Sequence, residues 1–257
     1  MDTILFTIDD GVGHITLNRP GKLNSFIREM ALELQKRLDD CKSTDVRAVY
    51  ITGAGKAFSA GQDLSEVTDP NGPGMNRILS EHYNPIILKI RQLEKPVVAA
   101  VNGVAAGAGA NIAFCCDIVL ASQSAVFLQA FSKIGLVPDS GGTYFLPRLI
   151  GWQKASALMM LGDKVSAPEA EKMGMVYKFF DDDTFAAESL KIAGMLAKMP
   201  TRGLAYTKKL LESSFTNTLP EQLKLEDKLQ QLAGATNDFK EGTSAFLEKR
   251  QPVFKGE

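Results

Sequence analysis

The stretch that decides the fold is Val97-Val98-Ala99-Ala100-Val101-Asn102-Gly103-Val104-Ala105-Ala106-Gly107-Ala108-Gly109-Ala110-Asn111. Its first five residues are all apolar, the pattern of a strand buried on both faces. A run of glycine and alanine follows, where backbone can approach other groups closely and adopt unusual dihedrals. Ile112-Ala113-Phe114-Cys115-Cys116 then continues as the body of a buried helix. A strand, a small-residue turn and a helix start leave free backbone N–H groups at the positive end of a helix. Such a turn suits an anion, or an oxyanion that forms only during reaction. Close packing of helix on sheet accounts for the same residues, so the rest of the chain must decide.

Upstream, residues 3–9 and 12–17 read as two strands around Asp9-Asp10-Gly11, a hairpin signal. His14 belongs to the second strand as a surface residue. Residues 18–24 are rich in turn formers. Ser25 is placed to cap a helix whose apolar face is Phe26, Met30, Leu34 and Leu38, ending near Lys42. Residues 46–52 form a β-branched and aromatic strand. It enters a second glycine-bearing turn, Gly53-Ala54-Gly55-Lys56-Ala57-Phe58-Ser59-Ala60-Gly61-Gln62-Asp63-Leu64. A phosphate-cradling loop there needs Gly and Ser or Thr where Tyr50 and Ala57 stand. A dinucleotide fingerprint starting at Gly53 or Gly107 needs Gly where Phe58 and Ile112 stand. Nucleotide hydrolysis and hydride transfer lose their usual support.

Residues 66–77, with two prolines and two glycines, read as a mobile loop. Residues 78–93 are helical with a break at Pro85, and His82 falls there as a partly exposed residue. Residues 117–121 and 125–128 read as short strands. The segment 135–143 reads as a loop opening a helix at 142–150. Asp139 or Ser140 suits the N-cap of that helix. Alternatively Asp139 is a carboxylate in an apolar surround of Phe131, Leu136, Val137 and Phe145, which tunes its basicity. Beyond residue 151 the pattern is mainly helical, with one strand at 176–180 and the last helices starting near Pro220 and Asn237. The chain thus reads as α/β, with a core over 1–198 and a helical region over 199–257.

The 257 residues are 45% hydrophobic and 23% charged, an ordinary globular composition. A net charge of −1 offers no broad basic field, so nucleic acid is not an expected partner. Cys41, Cys115 and Cys116 have no metal-site spacing and are too few for a disulfide framework, which suits a reducing cytoplasm. No signal peptide is apparent, and no apolar run approaches the ~20 residues of a membrane helix. No metal is expected.

Several separated motifs in order resemble the crotonase superfamily, the enoyl-CoA hydratase/isomerase family. They are Asn18-Arg19-Pro20 with Asn24; Lys56 through Leu64; Lys95-Pro96 with Asn102 through Gly107; and Asp117-Ile118. The resemblance spans the chain. It implies a spiral of ββα units with C-terminal helices that drive trimerisation, as a homotrimer or a dimer of trimers. It implies acyl-CoA thioester substrates and no cofactor beyond the coenzyme A of the substrate. By motif position the oxyanion donors are the backbone N–H groups of Gln62 and Ala108. Family hydratases carry two catalytic Glu residues, at positions held here by Asn111 and Phe131. Hydration needs groups that activate water and deliver a proton, so the departure disfavours it. Asp139 stands where hydratases commonly have Gly, and a single acid is the pattern of family isomerases that act on Δ3-enoyl or ring-epoxide thioesters. The resemblance further implies substrate contacts at Lys22, Leu23, Lys56, Ala60, Asn111 and Phe131, at the backbone of Asp63 and Leu64, and at Phe246 and Lys249 of the final helix, toward coenzyme A of the same or a neighbouring subunit. A dehalogenase-type rival in the family would use Asp139 as nucleophile, His82 as base and Trp152 in the pocket. A non-catalytic scaffold subunit is the rival outside enzymology.

Overall fold

The computed structural model describes residues 2–257. The first hairpin is as expected: β1 (Ile4–Asp9) and β2 (Val12–Leu17) pair antiparallel across a two-residue turn, Asp9 opposite Val12. From there the chain advances in repeats of two strands and a helical segment. Each repeat puts its first strand in one sheet and its second in another. The pairs are β3 (Ala48–Gly53) with β4 (Ala57–Ser59), β5 (Val97–Val101) with β6 (Val104–Ala106), and β7 (Ile118–Ser122) with β8 (Val126–Leu128). Two later strands, β9 (Lys164–Ser166) and β10 (Lys178–Phe180), complete the sheets. The larger sheet runs β1-β2-β3-β5-β7-β10, parallel beyond the hairpin; the smaller runs β4-β6-β8-β9. This is the expected spiral of ββα units.

The alternation of side chains explains the two-sided core. Val49 and Ile51 of β3 face the main core, whereas Ala48 and Tyr50 face a second layer. That layer is covered by α9 (Asp182–Ala197), through Phe185, Ala193 and Ala197. On the other face lies α1 (Arg28–Asp40), which buries Met30, Ala31, Leu34 and Leu38 on one stripe. The remaining helices are α2 (Leu64–Thr68), α3 (Gly74–Arg77), α4 (Asn84–Gln92), α5 (Ala108–Phe114), α6 (Gly142–Ile150), α7 (Trp152–Leu161), α8 (Ala167–Lys172), α10 (Thr201–Ser213), α11 (Leu219–Gly234) and α12 (Asn237–Leu247). No helix among the described residues is long and apolar enough to cross a membrane.

Four local expectations are corrected. Ser25 does not cap α1, because Phe26 is held extended against Gln62 and the N-cap position passes to Ile27. Residues 66–77 are not simply loop, since α2 and α3 fall there and the Asp63 carboxylate caps α2 through the Ser65 N–H at 3.1 Å. Residues 78–83 form a π-helix, after which Pro85 occupies the first turn of α4, where its missing N–H does no harm. His82, on that π-helix, is fully buried rather than partly exposed.

Candidate active site

The two glycine-bearing turns meet beyond the C-terminal ends of β4 and β6, neighbouring parallel strands of the smaller sheet. Phe26 donates its N–H to the Gly61 carbonyl at 2.7 Å and accepts from the Asp63 N–H at 2.9 Å. These two bonds flank Gln62, so by the geometry of a parallel bridge the Gln62 N–H points away from Phe26. The facing turn is Gly107, with φ 52° and ψ −126°, which delivers the chain into α5 with Ala108 as the first helical residue. That conformation is natural only to glycine. Gly61 must also lack a side chain, since a Cβ there would lie 2.8 Å from the Ala106 carbonyl oxygen and 3.4 Å from the Ala108 nitrogen. Among the described residues, no protein acceptor meets the Gln62 or the Ala108 backbone N–H. Two unsatisfied donors on adjoining turns are rare in a folded chain and suit an oxygen supplied by a ligand.

Both turns line a cavity of about 170 Å³. Its walls are mostly apolar, with Leu64, Val67, Met75, Ile78, Phe131 and Leu136 among them, and its polar side chains are Gln62, Tyr83 and Asp139. Asp139 is its one carboxyl group among the described residues.

The loop that carries Asp139 is held on both sides. The Ser140 hydroxyl donates to Asp139 Oδ1 at 2.8 Å, with Ser140 itself in the left-handed region at φ 50°. The buried Asn111 carboxamide donates to the Asp139 backbone carbonyl at 2.8 Å, and Gln129 donates to Asn111 Oδ1 at 2.8 Å. Burial raises the Asp139 pKa above the ordinary carboxylate range, with the Ser140 hydroxyl opposing that shift. Neither Asp139 nor Ser140 caps α6; Gly141 takes that position, and the two side chains bond each other instead.

The profile of the enoyl-CoA hydratase/isomerase family matches residues 7–257. The chain belongs to that family. The 1,2-epoxyphenylacetyl-CoA isomerase of Escherichia coli is 46% identical over 260 residues, spanning 100% of this chain and 99% of the relative. The trans-2-decenoyl-(acyl-carrier-protein) isomerase of Streptococcus mutans is 36% identical, over 98% of both chains. Among solved structures, an enoyl-CoA hydratase from Bacillus anthracis superposes with a TM-score of 0.93 at 32% identity, over 99% of this chain and 100% of that one. The enoyl-CoA hydratase/isomerase family acts on acyl-CoA thioesters, and the fold here is that of its members.

Against that family pattern the candidate residues divide. Ala60, Gln62, Leu64, Ala108, Phe131 and Asp139 come together at the cavity. Asn111 does not face it, because its carboxamide is committed to the Asp139 loop. Asp63 is likewise engaged elsewhere: its carboxylate pairs with Arg19 at 3.1 Å and caps α2, and its N–H is given to Phe26. Lys22, Leu23 and Lys56 lie outside the cavity on exposed turns. Those turns adjoin, since Asn24 Nδ2 donates to the Ala54 and Ala57 carbonyls at 2.9 and 2.7 Å. Phe246 and Lys249 stand at the end of α12, away from this cavity; Phe246 is 83% exposed and borders a larger apolar groove between the C-terminal helices.

The apolar surround expected for Asp139 is also revised, as Val137 is 80% exposed and the wall comes from Phe131, Ile134 and Leu136. The pieces a dehalogenase needs are not assembled: His82 is buried behind the cavity beside Arg28, and Trp152 is 74% exposed. Tyr83, Gln129 and Ser140 were not singled out as site residues by the sequence. Only Gln129 carried a usable signal, as a lone amide directly after the apolar run of β8.

Proposed function

We propose that the protein is an acyl-CoA isomerase that works through a thioester enolate, with Asp139 as its general base. The observation that carries this reading is one carboxyl group sharing an apolar cavity with two unpartnered backbone N–H groups. The thioester oxygen is received by the Gln62 and Ala108 N–H groups. Asp139 removes a proton from the carbon next to the thioester, and negative charge accumulates on the oxygen between the two donors. With a Δ3-enoyl thioester the same carboxylic acid returns the proton to the γ-carbon, leaving the double bond conjugated. No water enters, so one base suffices. Such a donor typically contributes ~2.7–4 kcal/mol at the transition state, and a general base ~10²–10⁴ in rate.

The identity to a 1,2-epoxyphenylacetyl-CoA isomerase supports a ring-epoxide thioester as the substrate, opened to the isomeric oxepin by the same enolate. We place coenzyme A along the adjoining exposed turns, with Lys22 and Lys56 toward its phosphates and the backbone near Ala60 and Leu64 along its pantetheine arm. Phe246 and Lys249, away from this cavity, are assigned to the coenzyme A of a neighbouring copy. The exposed apolar groove of the C-terminal helices suits association with further copies of the chain, as a trimer or a dimer of trimers. The test is a pair of assays on one preparation. Ring 1,2-epoxyphenylacetyl-CoA is expected to be converted to the oxepin isomer, and crotonyl-CoA is expected not to be hydrated. Rapid hydration of crotonyl-CoA with no isomerisation would reverse the assignment.

A further inference from the structure

We propose that Tyr83 is a positioning residue for the oxyanion site, holding the Gln62 N–H in place through the Gln62 side chain. The inference deepens the enolate reading and rests on it. Its basis is a hydrogen-bonded chain. The Tyr83 hydroxyl donates to Gln62 Oε1 at 2.8 Å. Gln62 Nε2 donates to Glu66 Oε2 at 2.8 Å. Glu66 Oε1 accepts the backbone N–H of Arg28 at 2.8 Å, at the start of α1. Both ends of the Gln62 carboxamide are therefore fixed, and the residue whose backbone donates is tied to three separate elements.

Tyr83 also braces the backbone bracket directly. Its ring meets Phe26 edge-on, with centroids 5.8 Å apart and planes at 64°. Phe26 supplies the two main-chain bonds that flank Gln62. The π-helix over Ile78–Tyr83 widens the turn that aims this phenol, and such departures from α geometry recur at functional sites.

Burial separates this role from direct contact with substrate. Tyr83 borders the cavity but has no solvent-accessible surface, and its hydroxyl is already spent on Gln62. Its pKa is driven well above the ordinary phenol value by burial, then by the nearby Asp139 and Glu66 charges. The group is thus a neutral donor throughout the working pH range and keeps its bond to Gln62.

The test is Tyr83→Phe, which keeps the ring and removes only the donor. For 3-hexenoyl-CoA, kcat is expected to fall about 10-fold with KM within about twofold, less than the ~10²–10³ of losing an oxyanion donor outright. The ring epoxide should lose the same factor. The carbonyl stretch of bound butyryl-CoA, read by difference infrared spectroscopy, should move back toward its value in solution. A double variant with Gln62→Met should lose no more than the larger single loss. An unchanged kcat and carbonyl stretch would overturn the inference, as would a loss confined to the ring epoxide, which would put the phenol on the substrate. Asp139→Asn run alongside separates the two levels: if it abolishes turnover while Tyr83→Phe does nothing, the isomerase reading stands and the Tyr83 role falls. If wild type turns over neither substrate, the isomerase reading falls, and the infrared comparison still decides whether Tyr83 sets carbonyl polarisation.

Discussion

Asp139 joins two properties that pull against each other. Its cavity raises the pKa, which would make it a stronger base in the proposed reaction and penalises its ionised form in the fold. The sign follows from linkage. A folded-state pKa above the unfolded value means that stability is full below the ordinary carboxyl pKa and declines as pH rises through the raised one. Asp139→Asn is therefore expected to melt at a higher temperature than wild type at pH 7, and the gain should vanish near pH 3; equal melting curves at both pH values would contradict this. The same shift sets the rate profile: kcat/KM should rise with unit slope through an apparent pKa above the usual carboxylate range and then level. Asn111 is the second residue on which the site depends. Asn111→Ala removes the donor to the Asp139 carbonyl and the acceptor of Gln129, leaving a half-buried carbonyl and a buried amide unpaired. Unfolding in urea should show a loss of about 1–3 kcal/mol, together with a fall in kcat because Asp139 is no longer fixed.

Among the elements, the Gly107 turn is the one on which the proposed oxyanion site most depends. Gly107→Ala adds a methyl group with room around it, the nearest atom being Phe131 Cζ at 3.6 Å, so its cost is backbone strain rather than collision. It should destabilise by roughly 1–3 kcal/mol and reduce kcat by about 10² or more as the Ala108 N–H swings out of line. A variant of unchanged kcat would remove Ala108 from the oxyanion site. The turn was legible in the sequence as a glycine-rich link from an apolar, strand-like run into a helix, but its role was not, since close packing accounts for the same residues. The ββα spiral was accessible through the family resemblance, which also pointed to Gln62, Ala108 and Asp139. What the sequence did not disclose depends on contacts distant in the chain. Phe26 looked like the first turn of α1, but its main chain is claimed by Gly61 and Asp63, which bracket Gln62 far along the chain. Asn111 looked like a ligand-facing residue until the Asp139 carbonyl took its amide. No periodicity distinguishes a π-helix from an α-helix over six residues, so the aim of Tyr83 and the burial of His82 were hidden.

At the scale of the whole molecule, the C-terminal helices dock on the core at a few polar points. Lys208 is buried, donating to the Ile90 carbonyl at 2.7 Å and pairing with Asp117 at 2.9 Å, and the Arg148 guanidinium lies over the rings of both Tyr144 and Phe215. Their outer faces keep Leu219, Phe239, Phe246 and Leu247 exposed. Phe246→Glu with Leu247→Glu is expected to lower the mass found by sedimentation from that of a trimer or hexamer toward the monomer; an unchanged mass would place the association elsewhere. The enolate mechanism itself is met most directly by one assay, the conversion of 3-hexenoyl-CoA to its conjugated 2-enoyl isomer, followed by ultraviolet absorbance for wild type and Asp139→Asn. Turnover by wild type and a loss of ~10²–10⁴ in the variant, with coenzyme A thioester binding retained, is the expected result. Equal turnover by the two proteins would contradict it, and would leave Asp139 as no more than part of the loop before α6.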